Sequence, residues 1–200
     1  KKKYKDMLLE EQITWEEGKH TQTEMEEATE VVKSPGIPES STIVTYFLKQ
    51  GIPVISEIEF AARYTKGKLI GITGTNGKTT TTLLTYHILK NAGVSVGIAG
   101  NVGQSLALQL ASGDKDFWIL ELSSFQLDGM FETKLDIAVL LNITPDHLDR
   151  YGYELQNYID SKFRIIQNHT SAEAFIYWAE DESITKNLHE KGYSGRAYPF

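Results

Sequence analysis

The segment from Lys68 to Ala92 constrains this chain more than any other. An apolar, β-like run, Lys68-Leu-Ile-Gly-Ile-Thr73, passes directly into Gly74-Thr-Asn-Gly-Lys-Thr-Thr80. A helical pattern from Leu83 to Ala92 follows at once. A strand that hands over to a helix through so short a loop belongs in a βαβ unit, and so in a parallel sheet.

The loop also carries chemistry. Backbone N–H groups of a glycine-rich turn at a helix N-terminus cradle phosphate oxygens, and the helix end adds partial positive charge. Gly74, Thr75, Asn76, Gly77, Lys78, Thr79, Thr80 and Thr81 are the candidate nucleotide-binding residues. Lys78 can reach β- and γ-phosphates, and Thr79 can ligate Mg²⁺. The general pattern G-x-x-x-x-G-K-[ST] asks for glycine at position 72, where this chain has Ile72; its glycines are Gly71, Gly74 and Gly77. The competing reading is a Gly-rich strand-to-helix turn with a surface lysine.

The same alternation of strand and helix runs through the whole chain. Residues 1–66 read as short elements: helices at Tyr4–Glu11, Thr21–Ala28, one capped by Ser40 or Ser41 and running through Gln50, and Glu57–Tyr64, and strands at Ile13–Glu16, Glu30–Lys33 and Ile52–Ile55. Ser34-Pro-Gly-Ile-Pro38 is a strong break. Thr65-Lys-Gly-Lys68 is the expected junction with a second unit, residues 67–200. There strands are expected at 69–73, 94–99, 117–122, 135–143, 174–178 and 196–200, and helices at 79–92, 104–111, 154–168 and 182–191. The strands read as apolar runs, the mark of a parallel sheet buried on both faces.

Composition narrows the class. Of 200 residues, 40% are hydrophobic and 24% charged, which suits an ordinary globular chain, and a net charge of −7 argues against nucleic acid as a partner. No cysteine is present, which excludes disulfides and thiolate metal sites and is compatible with the cytoplasm. No apolar run approaches the roughly 20 residues of a membrane span. The first residue is Lys1 and the first segment begins mid-pattern, so the chain reads as a piece of a longer protein.

In an open α/β sheet, ligands bind beyond the carboxyl ends of the strands. Four consecutive expected strand ends carry polar groups there: the phosphate loop, Gly100-Asn101-Val-Gly103, Glu121-Leu-Ser-Ser-Phe-Gln126, and Asn142-Ile-Thr-Pro-Asp-His-Leu-Asp-Arg-Tyr151. Glu121 sits in Trp-Ile-Leu-Glu-Leu, where a carboxylate is costly without a partner. Either a cation such as Mg²⁺ or a buried lysine or arginine would serve, and the competing reading is a glutamate exposed at a strand end. His147, between Asp146 and Asp149, reads as a loop histidine bonded to a neighbouring carboxylate or as a metal ligand. His20, His87, His169 and His189 have no such context.

Three motifs, Thr73-Gly-Thr-Asn-Gly-Lys-Thr-Thr80, Glu121-Leu-Ser-Ser-Phe-Gln-Leu127 and Asn142–Tyr151, stand in the order and spacing of the Mur ligases, and the chain resembles that family over nearly its whole length. The resemblance implies a truncated Rossmann-like first domain (1–66), followed by an incomplete P-loop-type central ATPase domain (67–200) and no third domain. It implies an ATP-dependent amide ligase of peptidoglycan precursor synthesis that acts as a monomer through an acyl phosphate. Ser-Ser-Phe-Gln, Asp-Arg-Tyr and Val31-Val-Lys-Ser-Pro-Gly-Ile-Pro38 favour the branch that adds D-glutamate to UDP-N-acetylmuramoyl-L-alanine. Lys78, Glu121, His147 and Lys162 are then the catalytic set. Thr79 and Glu121 resemble ligands of one Mg²⁺, and His147 and a carbamylated Lys162 resemble ligands of a second. Without the family, Lys162 reads as a surface charge. Asn101, Ser123 and Gln126 resemble groups beside the substrate carboxylate. A chain of this extent is expected not to ligate alone. The competing functions are a sibling ligase, a folylpolyglutamate-synthase-like enzyme, and a non-catalytic nucleotide-binding module.

Overall fold

A computed structural model describes residues 2–200. The first elements are α1 (Lys2–Glu10), α2 (Gln22–Glu26), β1 (Val31–Lys33), α3 (Thr42–Lys49), β2 (Val54–Ser56) and α4 (Glu57–Ala61). They are followed by β3 (Lys68–Thr73), α5 (Lys78–Asn91), β4 (Val96–Gly100), α6 (Leu106–Ser112), β5 (Phe117–Glu121), α7 (Ser124–Leu127) and β6 (Ile137–Leu140). The chain closes with α8 (Leu155–Phe163), β7 (Ala174–Tyr177), α9 (Glu182–Glu190) and β8 (Arg196–Pro199).

β1 and β2 form a small parallel pair. The other six strands make one parallel sheet in the order β4-β5-β3-β6-β7-β8. From β3 the chain steps out to β4 and returns through β5, then crosses to β6 and runs outward. The strand order therefore reverses between β3 and β6, where the loops leaving the two strands diverge and open a crevice.

Alternate residues divide the core, as the two-residue period of a strand requires. Ile70, Ile72, Ile119 and Val139 face Tyr86 and Leu89 of α5. Leu69, Trp118, Leu120, Leu140 and Phe175 face the other way, against α6, α7, α8 and α9. α4 precedes the Thr65–Lys68 connection, yet Ile58 and Ala61 are fully buried in this second cluster. Two carboxylates reinforce that packing. Glu59 accepts from Glu132 N at 2.8 Å and Thr133 N at 3.1 Å. Glu57 accepts from Ala107 N at 2.6 Å, and burial raises its pKa.

Several expected elements differ in the structure. Ile13–Glu16 is not a strand. Glu16 takes hydrogen bonds from the Thr21 N–H, at 2.7 Å, and from the Thr21 hydroxyl, and that hydroxyl makes no cap bond to α2. The strand expected at 135–143 is confined to 137–140, because the chain beyond Leu140 pairs with the phosphate loop. α7 was not expected; a reciprocal capping box between Ser123 and Gln126 makes it.

Candidate active site

Gly74 follows β3 directly. A Cβ there would lie 3.0 Å from Leu141 Cβ and 3.3 Å from Asn142 N, so glycine lets the loop press against the exit of β6. Gly77 has φ +85, a left-handed conformation, at the N-cap of α5. The loop is tied across the crevice. Thr75 N donates to Asn142 O at 3.0 Å and Asn76 N to Asn142 Oδ1 at 2.8 Å, while Asn142 Nδ2 returns a bond to Asn76 O at 3.0 Å. Thr79 and Thr80 at the start of α5 are exposed, and Thr81 is half-buried.

Two lysines converge on one carbonyl. Lys78 Nζ donates to Gly74 O and Thr75 O, both at 2.8 Å, and Lys162 Nζ donates to Gly74 O at 2.9 Å. Lys162 is 1% exposed, which overturns the reading of it as a surface charge. It lies one helical turn beyond Tyr158 on the inner face of α8, with its ammonium 4.7 Å from that ring. The Tyr158 hydroxyl lies 3.2 Å from Thr75 Oγ1. Burial, and then the charge of Lys78, push the Lys162 pKa down to about 7, against the opposing pull of Asp146 and Asp128. Burial also lowers the Lys78 pKa, opposed by Glu121 and Asp146.

Glu121 ends β5 at 1% exposure. Its Oε1 accepts from Asn101 Nδ2 at 2.8 Å, and its buried Oε2 has no protein partner. Asn101 is placed by Gly100 (φ +100), where a Cβ would meet Glu121 O at 2.2 Å. An orphaned, buried carboxylate oxygen beside a phosphate loop fits a hard cation. Among the described residues, no three or more His, Cys, Asp or Glu side chains cluster to hold a metal.

A cavity of about 270 Å³ brings together five of the expected residues. Lys78, Asn101, Ser123, His147 and Lys162 line it, together with Ser124, Phe125, Asp146 and Tyr158. Pro35 and Gly36 reach it from the Ser34–Pro38 break. Glu121 stands behind Asn101. Gln126 does not line the cavity: it is buried, and its amide oxygen accepts from Ser123 N at 3.0 Å and Ser123 Oγ at 2.9 Å. His147 is exposed in a left-handed conformation (φ +50), with Nε2 3.5 Å from Asp146 Oδ2. Sequence reasoning did not single out Tyr158, whose signal is its i,i+4 spacing to Lys162; it named Asn142, Pro35 and Gly36 only within the 142–151 and 31–38 segments, with no role for each.

Comparison with known proteins shows the family. The sequence profile of the Mur ligase middle domain matches residues 72–199. The chain belongs to the Mur ligase family. A UDP-N-acetylmuramoylalanine–D-glutamate ligase of Bacteroides fragilis is 57% identical over 200 residues, which is 100% of this chain and 45% of that protein. The chain therefore spans about half the length of the curated relatives it matches. Among solved structures, it is similar to the UDP-N-acetylmuramate:L-alanyl-gamma-D-glutamyl-meso-diaminopimelate ligase of Neisseria meningitides. The TM-score is 0.65 at 21% identity, over 98% of this chain and 65% of that one. It is also similar to a MurF ligase of Thermotoga maritima in complex with ADP. There the TM-score is 0.53 at 19% identity, over 88% and 50%. At these identities the structural likeness speaks for the fold.

Proposed function

We propose that this chain is the phosphate-handling part of a ligase that joins D-glutamate to UDP-N-acetylmuramoyl-L-alanine at the expense of ATP. The observation that carries the reading is the convergence of Lys78, Asn101, His147 and Lys162 on one cavity, with the orphaned oxygen of Glu121 behind it. The D-glutamate assignment draws on the name of the relative that is 57% identical.

The chemistry is charge management. A substrate carboxylate oxygen attacks the γ-phosphorus of ATP, and ADP leaves. The amine of D-glutamate, in its unprotonated form, then adds to the carbonyl carbon of the acyl phosphate, the nitrogen gives up a proton to solvent, and the tetrahedral adduct expels inorganic phosphate. Lys78, whose ammonium donates to Gly74 O and Thr75 O, would offer its charge to the phosphate oxygens at the loop. Thr79 and Glu121 would hold one Mg²⁺. A second would be held by His147 and a carbamate on Lys162. When bound, Mg²⁺ neutralises phosphate charge and polarises the transferring group. A buried amine with a pKa of about 7 is substantially unprotonated at neutral pH, the form that adds to CO₂ and loses a proton to become a carbamate.

The test uses the complete ligase that contains this chain, supplied with ATP and UDP-N-acetylmuramoyl-L-alanine. Phosphate release should require D-glutamate. Equal release with L-glutamate or a diamino acid in its place would overturn the assignment.

A further inference from the structure

Behind the phosphate loop lies a buried carboxylate that the proposed chemistry does not use. Asp181 follows β7 and is 8% exposed. Its Oδ1 accepts from Ile184 N at 3.1 Å, which caps α9. Its Oδ2 accepts from Ile143 N at 2.7 Å. Ile143 is buried and lies past the end of β6, so no strand ladder is there to satisfy its N–H.

The residues on either side of Ile143 hold the phosphate loop. Asn142 makes the three bonds to Thr75 and Asn76 described above. Thr144 N donates to Thr75 Oγ1 at 3.0 Å, and Thr75 Oγ1 lies 3.1 Å from Thr144 O. The loop therefore rests on the 142–144 segment, and Asp181 fixes the middle of that segment from behind.

We propose that Asp181 is a positioning residue of the phosphate loop, holding Asn142 and Thr144 through Ile143 N so that Thr75 and Asn76 keep their geometry. A carboxylate suits the task because it offers an acceptor to each of two elements at once. Serine caps a helix but cannot also reach Ile143, and asparagine sets an NH₂ group against one of the two donors. The relevance to catalysis rests on residues 74–81 being the nucleotide loop; the mechanical link does not.

The experiment measures amide hydrogen exchange and Mg·ADP affinity in the complete ligase that contains this chain and in its Asp181→Ser variant, with Asp181→Asn as the second variant should the serine protein not fold. In Asp181→Ser, α9 and β5 should keep their protection. Exchange at Thr75 and Asn76 should rise by about tenfold, and the Kd for Mg·ADP should rise by a similar factor, the scale expected when a buried donor loses its partner. Unchanged exchange at Thr75 and Asn76 beside a faster Ile143 would overturn the proposal. So would a uniform rise that includes β5, because that reports only lost global stability. A complete wild-type ligase that fails to bind Mg·ADP would refute the nucleotide reading instead, and the exchange data would still decide the link.

Discussion

Replacing Lys162 with methionine should change the pH dependence of stability in a defined direction. The ammonium is 1% exposed, shares Gly74 O with Lys78, and has its pKa pushed down to about 7. In the unfolded chain the same amine titrates near 10.4. Between those values the unfolded state binds the extra proton, so wild-type stability rises with pH across this window. Below about pH 7 the full penalty of burying the charge is present, and it disappears as pH rises through the unfolded value. At about 1.4 kcal/mol per pH unit, the wild type should gain roughly 3 to 4 kcal/mol on the methionine variant between pH 7 and pH 10. Removing the hydrogen bond to Gly74 O adds a pH-independent offset and leaves the slope alone. Urea unfolding of both proteins at several pH values, in buffers free of CO₂, measures the slope. A stability difference flat with pH, or one that moves the other way, would refute the reasoning. Bicarbonate should then stabilise the wild type near pH 8 and leave Lys162→Met unaffected.

Other predictions follow from the same geometry. Glu121→Gln should leave stability unchanged or raise it by about 1 to 3 kcal/mol, because one oxygen of that buried carboxylate has no protein partner, and should abolish the Mg²⁺ dependence of nucleotide binding; unfolding data and a titration with and without Mg²⁺ check both. Asn142→Ala removes the reciprocal pair with Asn76 and should weaken Mg·ADP binding about tenfold, read by calorimetry. His169 has its pKa lowered by burial, with Glu173, Asp136 and Lys134 around it and Tyr193 bonded to Nδ1 at 3.0 Å. The unfolded state therefore takes up its proton first. Stability should fall as pH drops below about 6.5, and His169→Gln should flatten that fall in urea titrations.

Much of this architecture was legible in the sequence because its elements are strongly patterned. The strand, loop and helix at 68–92 needed only local rules, and the apolar runs at 117–122 and 135–143 announced a sheet buried on both faces. The site was harder to read. Glu121 stood out because a charge interrupted an apolar run. Lys162 did not, because a lysine in a helix looks like any other until α8 is docked and its inner face is known. Asn142 and Asp181 act through backbone groups brought together only by the order β3-β6-β7, which no local pattern encodes. Gln126 looked like a ligand group for the opposite reason: its capping role in α7 was not seen, and that role occupies its amide oxygen.

The central claim is that this site transfers phosphate to a carboxylate. It can be tested with ¹⁸O in the carboxylate of UDP-N-acetylmuramoyl-L-alanine, supplied with ATP and D-glutamate to the ligase that contains this chain. If an acyl phosphate forms, the carboxylate oxygen that becomes bonded to phosphorus leaves with it. Each phosphate released should then carry one ¹⁸O from a fully labelled carboxylate. Amide product formed alongside phosphate that carries no ¹⁸O would contradict the account.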